Sequence, residues 1–268
     1  MNLRAPVVEE PTFGMKVRWA LADSYTLAKR DLTRSRRDAE MTSFAVMMGV
    51  FFLLLFNYVF GGVIGAGSGV DYTQFLVPGV MVITALTGSL MTGTGIAVDL
   101  AEGVDRRFRS LPMSRVAVVA GRTTSDAFRN AVSVLFVVAL GYVLGFRFAS
   151  LGAAVVSMLL VVGLGYSFSW ISASIGVKLR DPETVNMASM FWLFPLMFAS
   201  TVFTPADAMP GWLQAFAENQ PLSVVSDAVR AISIGESAGT DTLLSVLWIA
   251  GLLLVFVPLS TSLYNKAA

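Results

Sequence analysis

The chain has 268 residues, 55% of them hydrophobic and 14% charged, and its 19 Lys and Arg against 18 Asp and Glu leave a net charge of +1. Soluble domains carry roughly 25% charged residues, so this composition excludes a water-soluble enzyme and offers nothing to a nucleic acid. Cys and His are both absent, which removes thiol chemistry, disulfides and the commonest general base and metal ligand; no catalytic residue and no metal site is expected.

Taken from the N-terminus, residues 1–11 are polar and Pro-bounded, while residues 12–38 carry an apolar stripe at Val17, Leu21, Tyr25, Ala28 and Leu32. That spacing predicts an amphipathic helix. Its basic remainder (Lys16, Arg18, Lys29, Arg30, Arg34, Arg36 and Arg37) suits an interfacial position against anionic lipid headgroups. No short apolar core precedes a small-residue cleavage site, so no secretory signal peptide is expected. Residues 1–40 are read as a cytoplasmic segment bearing this interface helix, and 41–268 as a transmembrane domain.

Apolar runs of about 20 residues, the length a bilayer demands of a helix, then follow one another. Span one is predicted at about 41–60 and ends in Gly61-Gly-Val-Ile-Gly-Ala-Gly-Ser-Gly69, read as a flexible external loop because it fits neither phosphate-loop nor dinucleotide spacing. Span two is predicted at about 73–98, with Thr84, Gly88 and Thr92 forming a small polar face suited to close helix packing or to lining a pathway. Span three, about 116–145, is entered through Arg122, Asp126 and Arg129, which share one helix face and can pair. A tight turn at 146–150 leads to span four, about 151–177, and a short loop at 178–182 to span five, about 184–203. Residues 204–240 are broken by Pro205, Pro210 and Pro221 yet keep apolar faces, which predicts two short helices partly re-entering the membrane surface. Span six covers about 242–263. The predicted fold is all-α and polytopic: six transmembrane helices, the N-terminal interface helix, and an extracellular re-entrant helical hairpin between spans five and six.

Seventeen of the 19 Lys and Arg fall on one side of this scheme, leaving Arg147 and Arg230 on the other. The positive-inside rule then predicts a multi-pass plasma-membrane protein with both termini, and the loop at 99–115, in the cytoplasm. Spans one, two, four, five and six carry no ionisable residue within the predicted hydrocarbon region. Such residues are costly in lipid and retained for a purpose, so their absence argues against a proton-coupled carrier. No Walker-type loop is present either, so uphill transport would draw its energy from another polypeptide.

Three stretches carry a family resemblance: Gly103-Val-Asp-Arg-Arg-Phe-Arg-Ser-Leu-Pro-Met-Ser-Arg115 with Gly121-Arg122; Gly141-Tyr-Val-Leu-Gly-Phe-Arg-Phe148; and Phe203-Thr-Pro with Met209-Pro-Gly-Trp-Leu-Gln-Ala-Phe-Ala-Glu-Asn-Gln-Pro221 and Asp227-Ala-Val-Arg230. Over about residues 15–265 the chain resembles the membrane subunits of ABC-2 type exporters, in particular the daunorubicin-resistance permease group. The resemblance implies a permease, not itself an enzyme, that pairs with a second permease, identical or paralogous, and with two copies of a separate ATP-binding cassette ATPase subunit. ATP and Mg would sit on that partner, and no cofactor on this chain. A coupling helix at about 100–111 would present Glu102, Asp105, Arg106, Arg107, Phe108 and Arg109 to the ATPase. The substrate, an amphipathic drug or a lipid drawn from the surrounding membrane lipids, would pass Phe51, Phe52, Asn57, Thr84, Thr87, Met91, Phe191, Phe194 and Phe198. The external hairpin would place Trp212, Asn219, Gln220, Pro221, Asp227 and Arg230 at an extracellular gate. The residues themselves leave open two other readings: a non-transporting membrane component that recruits a cytoplasmic ATPase, and an ion-coupled or passive carrier.

Overall fold

A computed structural model describes residues 39–68, 72–103 and 115–267. Among the described residues every regular element is helical. Eight α-helices follow in order: α1 (Ala39–Ser68), α2 (Tyr72–Ala101), α3 (Arg115–Leu144), α4 (Leu151–Leu179), α5 (Pro182–Phe198), α6 (Gly211–Asn219), α7 (Pro221–Ile234) and α8 (Gly239–Ala267), with one 3-10 turn at Ala206–Ala208. Four of them, α2, α3, α4 and α8, are long and apolar enough to cross a membrane. The interface helix expected at 12–38 lies outside the described residues.

The Gly-rich run after span one is not a loop. Helix α1 continues through it to Ser68. The run holds no proline, and in an apolar setting a helix satisfies backbone hydrogen bonds that glycine's flexibility would otherwise leave open. Span five is correspondingly shorter than expected, because α5 stops at Phe198 and the chain turns at Ser200–Thr201.

Helix α2 is the hub. Its apolar window is 89% buried, against 6% for α8, and α1, α3, α4, α5 and α7 all pack on it. Around it gathers the main core, including Leu76, Met81, Leu86, Leu90, Val137, Leu164 and Leu222. Helix α8 instead lies on α4 and α7 and exposes Leu243, Leu247, Leu254 and Val255, a face suited to lipid.

Small residues let α2 and α4 touch. A Cβ placed on Gly176 would sit 2.2 Å from the Gly93 carbonyl oxygen, and one on Gly93 would sit 2.4 Å from the Ser172 carbonyl oxygen. The Ser172 hydroxyl accepts from the Gly93 N–H at 3.1 Å and donates to the Leu90 carbonyl at 3.1 Å. Close backbone approach with cross-helix hydroxyl bonds is how helices associate where hydrophobic pressure between them is weak.

The α4–α5 connection is only two residues long. Ser150 caps the start of α4, accepting from the Ala153 N–H, and Arg180, at φ 58°, ends it. Asp181 then caps α5: its carboxylate accepts from the Thr184 N–H at 2.8 Å and from the Thr184 hydroxyl at 2.6 Å, with Pro182 in the first turn. These bonds hold the Asp181 carboxyl below the ordinary carboxylate range, the Thr184 hydroxyl first and its amide second. The contribution to α5 is therefore complete above the ordinary value of about 3.9, and it is lost as pH falls through the lowered folded value. Asp181→Ala is expected to fray the first turn of α5 at neutral pH, read as faster amide exchange at Thr184, and the difference from the parent is expected to vanish in acid as the Asp181 carboxyl protonates.

Candidate functional site

Two polar clusters and one aromatic cluster mark the ends of α2. The first polar cluster surrounds Arg230 on α7. Its guanidinium donates to the Thr201 carbonyl at 2.9 Å and the Val202 carbonyl at 2.8 Å. Its Nε donates to the Phe75 carbonyl at 2.9 Å, and Nη1 to the Asp227 carboxylate at 2.5 Å. The same group lies 3.7 Å from the centre of the Phe75 ring, a cation–π position. Asp227 also accepts from the Thr201 hydroxyl. One arginine thus joins α7, the start of α2 and the turn after α5.

Neighbouring bonds extend this clasp. Tyr72 donates to the Phe203 carbonyl. Gln74 exchanges hydrogen bonds with the backbone of Arg147, and the Ala149 N–H donates to the Ser233 carbonyl at 2.7 Å. Gln220, just ahead of α7, donates its amide to the Leu196 and Ala199 carbonyls. Of the residues expected at a gate, Gln220, Pro221, Asp227 and Arg230 belong to this packed structure. Trp212 and Asn219 stand exposed on α6, Trp212 at 77%.

Beside the clasp lies the aromatic cluster. Phe203, nearly buried, stacks on Phe56 of α1 at 4.1 Å and approaches Phe52 at 5.6 Å and Phe198 at 6.1 Å. Phe51 borders Phe52, and Phe194 stacks along Phe198; Phe51, Phe194 and Phe198 remain open on their outer faces. Asn57 accepts from the Thr73 hydroxyl at 3.0 Å.

The rest of the expected pathway is distributed differently. Thr84 and Thr87 are buried; Thr84 donates to its own Val80 carbonyl and lies against Gly49 of α1. Gly88 faces Asn130 of α3. The small polar face of α2 is therefore taken up by helix packing. Met91 is half-buried, and Phe191 points outward at 85% exposure. The sequence reading did not pick out Phe56 or Phe203 as site residues, although Phe52 and Phe56 one helical turn apart carried that signal.

The second polar cluster is at the opposite end of α2. Asp99 binds Arg122 of α3 at 2.9 Å, and Asp126 binds Arg129 at 2.5 Å while standing 3.7 Å from Arg122. The pairing expected along this face of α3 is present, with Asp99 added from α2; one turn beyond Asp126 on α3, Asn130 donates to the Ala85 carbonyl at 2.8 Å. Among the expected ATPase contacts only Glu102 is described. It is exposed at the end of α2, which Gly103 closes in the left-handed region at φ 69°. Asp105, Arg106, Arg107, Phe108 and Arg109 lie outside the described residues.

The profile of the ABC-2 type transporter family matches residues 23–234. The chain belongs to the ABC-2 type transporter family. Relatives narrow the comparison. The daunorubicin resistance ABC transporter permease protein DrrB1 of Streptomyces coeruleorubidus is 40% identical over 229 residues, covering 83% of this chain and 79% of the relative. The Mycobacterium tuberculosis protein named "Probable doxorubicin resistance ABC transporter permease protein DrrC" is 26% identical over 250 residues, covering 92% and 90%. The doxorubicin resistance permease DrrB of the same species is 28% identical over 184 residues, covering 68% and 63%. An ABC-2 permease is the membrane component of an ABC transporter, and the four long apolar helices agree with a multi-pass membrane protein.

Proposed function

We propose that this ABC-2 permease moves amphipathic drugs or lipids out of the cell, driven by a separate ATP-binding cassette ATPase. The observation that carries this reading is the 40% identity over 229 residues to a daunorubicin-resistance permease. On this reading α1 and α5 complete six spans with α2, α3, α4 and α8. Both termini and the island at 100–111 face the cytoplasm, and α6 and α7 form the extracellular hairpin. The bundle works with a second permease, identical or paralogous, and two ATPase copies that carry ATP and Mg.

The chemistry of the aromatic cluster supports the drug reading. Phe51, Phe194 and Phe198 expose flat apolar surface beside buried Phe203, which suits a planar, partly apolar ligand that enters from the membrane. The Thr73 hydroxyl and the Asn57 amide, bonded to each other between α2 and α1, supply polar contacts. Glu102 and the arginines beyond it serve as ATPase contacts. ATP-driven closure of the ATPase pair displaces the island, and the bundle answers with a change between two packings.

The test uses the chain co-purified with its ATPase in lipid discs. Doxorubicin is expected to stimulate ATP turnover more than added phospholipid does; the reverse order would assign the pathway to lipid. Charge reversal at Arg106→Glu and Arg107→Glu is expected to abolish that stimulation by weakening the ATPase contact. Full stimulation in the reversed variant would place the contact elsewhere on the chain.

A further inference from the structure

The charged cluster at the Asp99 end holds an imbalance that packing alone does not require. Asp126 is the most buried of its charged members, with its side chain 1% exposed. Its Oδ1 is bound by Arg129, yet its Oδ2 makes no hydrogen bond among the described residues. A buried carboxylate oxygen left without a donor is costly, and a donor stands just short of it: Arg122 Nε, 3.7 Å away. Charge-assisted bonds close at about 2.7–2.9 Å, so roughly 1 Å of travel would complete this one. Arg122 is turned instead toward Asp99, which binds its Nη1 at 2.9 Å.

The two carboxylates belong to different helices. Asp126 shares α3 with Arg122, one turn further on, and moves with it. Asp99 sits on α2, three residues before Glu102. The guanidinium also lies over a notch in α2, because a Cβ on Gly95 would fall 1.8 Å from Arg122 Nη2. Bare backbone at that point leaves the arginine room to shift without climbing over a side chain.

We infer that Arg122 is a two-position arginine that holds Asp99 in the state seen here and passes to Asp126 when the end of α2 shifts against α3. The inference rests on the reading of the 100–111 island as the ATPase contact, and it makes Arg122, Asp99 and Asp126 positioning residues for that coupling. The exchange keeps the arginine paired at both ends of the motion, so the buried charge is never left uncompensated. It gives the α2–α3 pair two discrete registers rather than a continuous slide.

The chain has no cysteine, so spin labels at Ala101→Cys and Thr124→Cys, both exposed, report the α2–α3 register uniquely. The full chain would be measured with its ATPase in lipid discs, before and after trapping with ATP and vanadate. The doubly labelled parent is expected to shift by about 2 Å or more on trapping, in the range of helix shifts at packed interfaces. Asp126→Asn, which removes the charge at the second position, is expected to stay at the untrapped distance. Gly95→Ala, which crowds Arg122 without removing any charge, is expected to show the shifted distance before nucleotide is added. An equal shift in the parent and in Asp126→Asn would overturn the inference, and so would a parent that does not shift. Doxorubicin transport is scored separately: a parent that changes register with ATP but moves no doxorubicin refutes drug export and supports the two-position arginine.

Discussion

Gly176→Ala should destabilise this bundle more than any other single methyl group added at a described glycine of its interior. The new Cβ would fall 2.2 Å from the Gly93 carbonyl oxygen and 2.9 Å from the carbonyl carbon. Both neighbours are backbone, so no side chain can rotate away, and α4 must move off α2. That separation also strains the bonds linking Ser172 to Gly93 and Leu90. Overpacking costs about 1–3 kcal/mol where side chains can adjust; here the expected loss is about 3 kcal/mol or more. The thermal midpoint of the purified permease in lipid discs reads it. Gly251 on α8 is the control. A Cβ there meets nothing within 4 Å, and Gly251→Ala is expected to be neutral or to gain up to about 1 kcal/mol from helix propensity.

Arg230→Ala is expected to have the second largest effect. The guanidinium is 12% exposed and serves three elements at once through the Phe75, Thr201 and Val202 carbonyls and Asp227. Truncation leaves three carbonyls short of a donor and a carboxylate without its cation. Removing one partner from a largely buried charged network costs about 3–5 kcal/mol, and the lower part of that range applies because Asp227 is 38% exposed. Asp227→Asn should cost less, since solvent already screens that carboxylate and the backbone bonds of Arg230 survive. Arg230→Lys should resemble Arg230→Ala, because a single ammonium cannot reach carbonyls on two sides. Thermal midpoints of the three variants check the order; a lysine variant as stable as the parent would show that charge rather than the fork holds the clasp.

Much of the helical order was legible because lipid imposes a single rule, that each spanning backbone satisfy itself. Runs of about 20 apolar residues were enough to place α2, α3, α4 and α8 within a few residues of their ends. The pair of short helices between Pro205 and Gly239 was readable from prolines at their starts, Pro221 opening α7 and Pro210 preceding α6. The glycine run at 61–68 misled because glycine's turn preference dominates in water, whereas a continuing helix prevails beside an apolar bundle. The ion pairs of Arg122, Asp126 and Arg129 followed from helical spacing, but Asp99 is 23 residues from Arg122 and only the return of α3 along α2 brings them together. The same limit applies to Arg230, whose partners at Phe75 and Thr201 come from distant parts of the chain. Exposure of the phenylalanines was equally hidden, since an apolar span looks alike whether a side chain faces lipid, a neighbour or a ligand.

The function reading meets its most direct test in inside-out vesicles from cells making this permease together with its ATP-binding subunit. Doxorubicin fluorescence is followed after ATP is added. The account predicts ATP-dependent uptake that is absent without the permease and absent with a non-hydrolysable nucleotide. An assembled, ATP-hydrolysing complex that leaves doxorubicin outside the vesicles would contradict it.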